Sequence, residues 1–243
     1  MNKNGVKVNK AQLRENERCL KDFQRERLVA PMTFDDCTTA DRRGKVQKAE
    51  EKMVIREGER CVAPLPPFAY TDSATVNTAA VDGALRLLYE IFGGPPLLDA
   101  SLLTKADNRD PARCQSEMLK QAGKLENSVL KEFIKAMKQA LEDESLNGRA
   151  ALEAKLEAVL SSNDKITRAQ DRLVKGVEKK CAALQVSPAT IFPGACGDPD
   201  LSEVEACVIA AARCESCLRI NAFDDLDLDC DEGDDQLINA SCP

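Results

Sequence analysis

Apolar positions recur along most of this chain at intervals of three and four residues, the step that keeps side chains on one face of a helix. Ala11, Leu13, Leu20 and Phe23 form a thin apolar stripe among charges and predict a first helix over residues 9 to about 28, ended by Ala30-Pro31-Met32. Thr33 followed by Asp35 and Asp36 reads as an N-cap with carboxylates in the first turn, where the positive end of the helix dipole favours them. A second helix then continues through Val46, Ala49 and Val54 to about Cys61. Three prolines within Ala63-Pro64-Leu65-Pro66-Pro67-Phe68 remove backbone donors and predict a linker. Val76, Ala80, Val81, Ala84, Leu85, Leu88 and Ile91 give a third helix over about 74–92, capped by Ser73, with little charge on its apolar face. Gly93-Gly94-Pro95-Pro96 ends it, and a short helix follows near 98–106.

Asp110-Pro111 is a cap followed by proline at the first helical position, so a long helix is expected over about 111–144. Asn147-Gly148 is a turn signal. The next helix runs over about 149–160, is interrupted and recapped at Ser162-Asn163-Asp164, and resumes to about 184. Residues 186–199 form a Pro/Gly loop, Ser202 caps a last helix ending near 221, and the remainder reads as an irregular tail. No run of alternating β-branched residues predicts a strand. The expectation is an all-α chain of helical hairpins packed as a bundle. It divides into an N-terminal hairpin (1–62), a Pro/Gly linker with an apolar helix (63–109), a long hairpin (110–185) and a Cys-rich acidic module (186–243).

Eleven cysteines in 243 residues change that picture. An oxidising compartment or a metal-thiolate role accounts for such a number. Folding the long hairpin about Asn147-Gly148 places residues equidistant from the turn side by side. Cys114 and Cys181 lie about 33 residues either side of it, and a bridge there closes a loop that the chain-entropy account values at about 4 kcal/mol. Cys19 and Cys37 flank the first interhelical turn and make a second candidate bridge. Cys196, Cys207, Cys214, Cys217, Cys230 and Cys242 allow three more, with Cys207, Cys214 and Cys217 near one helix face to receive Cys196 from the loop and Cys230 and Cys242 from the tail. Cys61 is left over. Met1 to Gly5 carry no apolar signal core, so the expectation is a natural chain extending upstream with both an export signal and a partner for Cys61.

The chain has no histidine, which removes His-ligated metal sites and Ser-His or Cys-His nucleophile pairs. No catalytic constellation is legible, and the carboxylates, Tyr70 and Cys214-Glu215-Ser216-Cys217 name no particular chemistry. The CxxC also reads as a redox pair or half a zinc site, without the strand-helix context or second ligand pair that either requires. Residues 198–235 hold thirteen acids and two bases. Asp225, Asp227 and Asp229 open like a calcium loop, with Asp231, Asp234 and Asp235 beyond, although Cys230 and Gln236 stand where such a loop has Gly and Glu. Calcium is thus the one candidate cofactor, and a solvated acidic tail is the plainer reading.

Bases in residues 1–180 alternate with acids in sequence, as on solvated helix faces, and aromatics are only 4% of the chain; a nucleic-acid partner is not expected. No apolar stretch is long enough to span a membrane. The C-terminal forty residues, with Cys214/Cys217, Asp229-Cys230-Asp231, Asp234-Asp235 and Asn239-Ala240-Ser241-Cys242, resemble the ends of uncharacterised Cys-rich proteins that environmental bacteria export. That resemblance implies secretion and no activity. The expected role is a secreted or periplasmic, disulfide-stabilised structural or interaction protein with an unidentified protein or surface partner. A calcium-binding module and, less favoured, a thiol-redox enzyme are the alternatives.

Overall fold

The structure, a computed structural model, describes residues 1–61, 63–64, 70–142 and 149–230. The described residues form ten helices and no strand: α1 (Asn2–Phe23), α2 (Phe34–Thr39), α3 (Lys45–Arg60), α4 (Ser73–Phe92), α5 (Leu98–Ser101), α6 (Arg109–Glu142), α7 (Arg149–Ser162), α8 (Asp164–Cys181), α9 (Pro188–Ile191) and α10 (Leu201–Asp224). The fold is the all-α, disulfide-stapled bundle that the periodicity predicts. Asp231, Asp234, Asp235 and Cys242, and the turn at Asn147-Gly148, lie outside the described residues.

The long helix α6 organises the molecule. Met118, Ala122, Leu125, Val129, Phe133 and Ala136 follow one another at three- and four-residue steps and are all buried. Ile166, Ala169, Leu173, Val177 and Cys181 repeat that step on α8, which packs along α6. On its other side α6 meets α1 and α10, and α4 closes against both of these. Leu88 and Phe92 of α4 are fully buried and Leu85 nearly so, so the apolar face of α4 is core and not a docking surface.

Several boundaries differ from the sequence reading. The first helix begins at Asn2, seven residues early, because Gly5 lets Val76 and Phe223 approach so closely that a Cβ would lie 2.7 and 2.8 Å from them. The expected second helix is two, α2 and α3. Asp41 and Gly44 between them take left-handed backbone, and the Asp41 carboxylate accepts from the Lys45 and Gln47 amides at 2.9 and 2.8 Å to start α3. Asp72 and Asp200 cap α4 and α10, where Ser73 and Ser202 were expected; the Asp72 carboxylate accepts from the Thr75 amide at 2.7 Å and that of Asp200 from the Ser202 amide at 2.8 Å. The recap at Asn163 is present, its side chain accepting from the Lys165 and Ile166 amides.

Four disulfides are described. Cys114–Cys181 joins the start of α6 to the end of α8 (Cα–Cα 5.2 Å), the pairing that reflection about the turn gives. Cys19–Cys37 ties α1 to α2. Cys196–Cys207 fastens the loop to α10, and Cys217–Cys230 fastens the start of the tail. Cys214 is disulfide-bonded too, so the two cysteines of the CxxC are not a pair with each other. Cys61 is a free, half-buried thiol.

Candidate anion-binding groove

The helix α1 is amphipathic in an unusual sense. Its inward face carries Val8, Leu13 and Leu20 but also Asn9, Gln12 and Asn16, all buried. Two of these amides are satisfied by distant carbonyls: Gln12 donates to the Thr38 carbonyl at 2.8 Å, and Asn16 to the Ala84 carbonyl at 3.0 Å. With these residues committed to the interior, the groove side of α1 carries its charges, five of them bases against three acids. Lys7, Lys10, Arg14, Arg18 and Lys21 follow one another at three- and four-residue steps and line one wall of a groove of about 1000 Å³.

The other wall is α3, whose Lys45, Lys48 and Lys52 repeat the same step. Val46 and Met53 bury on the inner side of α3 and hold it against α1, while Ala11 and Ala49, both small, lie between the basic rows. Arg25 and Arg27 after α1, and Arg43 before α3, close one end. The Cys19–Cys37 bridge fixes α2, and through it the start of α3, beside α1. Eleven Lys and Arg side chains thus line the groove against three carboxylates, Glu15, Glu17 and Asp22.

Those three carboxylates do not neutralise it. Among the described residues Glu17 pairs with Lys21 at 3.6 Å, and Asp22 with Arg18 at 3.8 Å and with Arg42 at 3.4 Å. Among the described residues, Arg18 and Lys21 are the lining bases that enter an ion pair with these carboxylates. Lys10 titrates below the ordinary lysine value, chiefly because Arg14 lies beside it, with burial and Lys131 adding to the effect. Lys105 is lowered by burial first, then by Arg25, Arg113, Lys21 and Arg109. The positive potential therefore continues past Arg25 onto the start of α6. Alternation with acids in sequence does not set the balance in space: the three acids of α1 line the groove too, but eleven bases from α1, α3 and the turns beside them outnumber them there.

Sequence reasoning missed this site although its signal was present. Positions 7, 10, 14, 18, 21 and 25 are basic at helical spacing, a stripe as regular as any apolar one in the chain. Of the residues singled out as calcium ligands, Asp225 ends α10 in left-handed backbone, and the Asp227 amide donates to Glu153 at 3.0 Å. Among the described residues no group of three or more Cys, Asp or Glu side chains is arranged to hold a metal, and no helix is long and apolar enough to cross a membrane.

A second polar cluster lies inside the bundle. Arg219 of α10, wholly buried, is ion-paired with Glu126 of α6, also wholly buried. It donates to Asn9 Oδ1 at 2.7 Å and to the Glu215 carbonyl at 2.9 Å. Arg86 of α4 donates from Nε to both Glu215 carboxylate oxygens, at 2.9 and 3.0 Å. Gly83 makes room: a Cβ there would lie 2.7 Å from Cδ of Arg219. This cluster joins α1, α4, α6 and α10. Comparison with known protein families, with curated proteins and with solved structures found no match to this chain.

Proposed function

We propose that this chain is a disulfide-stabilised interaction protein of an oxidising compartment, secreted or periplasmic, and that it binds an anionic partner in the groove between α1 and α3. The groove carries the reading: cations stand on both walls with too few counter-charges to satisfy them, on a chain whose formal net charge is −7. Gathering like charges costs stability through mutual repulsion, a cost that an anion occupying the groove offsets. The disulfides, and the likeness of the last forty residues to exported Cys-rich bacterial proteins, support the compartment.

A sulfonate-bearing matrix at pH 7 tests the binding surface. Net charge alone, at a sequence pI near 5.0, sends the protein through unretained. The groove predicts retention at low salt and release as salt is raised. Passage of the native chain in the void volume refutes the reading. Retention that survives the triple substitution Lys10→Gln, Arg14→Gln, Lys48→Gln places the binding elsewhere.

A further inference from the structure

Resting on the groove as an anion site, we infer that its ligand is a linear sulfated polysaccharide laid along α1. Lys7 to Lys21 on α1 span fourteen residues, or about 21 Å at the helical rise, so the basic row fits an extended polymer and not a single small anion. Successive bases on α1 are spaced about 4.5–6 Å along the axis, close to the repeat of a sugar chain.

The shape discriminates among polyanions. No aromatic side chain lines the groove, so single-stranded nucleic acid finds no platform on which to stack its bases. Duplex DNA is read by a helix that enters its major groove, and α1 is already packed against α3, α4 and α6. An anionic membrane presents a flat sheet of charge, whereas these bases stand on facing walls. A carboxylate polymer offers two coplanar oxygens that one arginine fork satisfies. A sulfate offers three oxygens in a tetrahedral array, which suits donors arriving from two facing walls, Arg14 on one and Lys48 on the other.

The experiment uses the full chain with its disulfides intact, at pH 7 and 150 mM salt, and measures affinity by fluorescence anisotropy. The probes are a heparin oligosaccharide, an oligothymidylate and a polyglutamate of matched charge, with phosphatidylglycerol vesicles assayed by sedimentation. The expected result is binding of the heparin oligosaccharide at least tenfold tighter than the oligothymidylate or polyglutamate, with little vesicle association. Arg14→Gln with Lys48→Gln should weaken it at least tenfold. Lys179→Gln with Lys180→Gln, both exposed on α8, should leave it unchanged. Equal or tighter binding of another probe, still lost with Arg14 and Lys48, overturns the polysaccharide assignment and keeps the anion site. Equal losses from both variant pairs, or no binding to any probe, overturn both. Circular dichroism confirms that each variant stays helical.

Discussion

At the scale of single residues, the buried charges and the glycines beside them set the sharpest expectations. Glu126→Ala leaves the Arg219 guanidinium buried without its partner, which should cost about 3–5 kcal/mol in denaturant unfolding. Gly83→Ala drives a methyl group into Arg219 and should destabilise by about 1–3 kcal/mol. Gly58→Ala is the contrast. It sits in α3 with nothing within 4 Å of its would-be Cβ, and should stabilise by about 0.5–1 kcal/mol. Glu205 gives a pH dependence. Burial, then Glu178 and Asp200, push its carboxyl up to about 7 from an ordinary 4.5. The folded chain holds this proton where the unfolded chain has lost it. The site's stabilisation is therefore full below about pH 4.5 and is lost as pH rises through about 7. Glu205→Gln should gain on the native protein between pH 4.5 and pH 8, by at most about 3 kcal/mol, in paired thermal melts. A constant difference across that range would show that the carboxyl does not titrate there.

At the scale of elements, crosslink position governs the consequence of removal. The Cys114–Cys181 bridge spans 67 residues and Cys196–Cys207 spans 11. In the loop-entropy account their loss costs about 4 and about 3 kcal/mol. Replacing each pair by alanine should lower Tm more for the first. Alkylation without reductant should mark Cys61 and spare the nine disulfide-bonded cysteines from Cys19 to Cys230. The helices themselves were largely legible, because Leu, Ile and Val at helical spacing on α4, α6 and α8 declare both element and buried face. Their ends were less so. Ser73 and Ser202 are good caps by type, but an aspartate one or two residues upstream takes the role, and local preference does not separate them. The start of α1 was hidden for a different reason. Residues 2–8 carry only Val6 and Val8 as apolar side chains, and the close approach of Gly5 to Val76 and Phe223 is a contact far away in sequence.

At the scale of the whole molecule, charge is divided and not merely summed. The segment 198–235 carries a large excess of acids, while α1 and α3 gather bases around one groove. A net-charge reading averages the two and sees a mildly acidic protein. The opposing wall was illegible from sequence, since nothing local to Lys45, Lys48 and Lys52 says that they face Lys10 and Arg14. That juxtaposition is a product of the packing of Val46 and Met53 and of the Cys19–Cys37 link.

Arg219, Glu126 and Gly83 also constrain how this sequence can drift. Each is acceptable only in the company of the others, since the guanidinium fills the space the glycine leaves and answers the charge the glutamate brings. Descendants of a common ancestor should therefore exchange the three as a set, an aliphatic at 219 appearing together with a neutral residue at 126 and a side chain at 83.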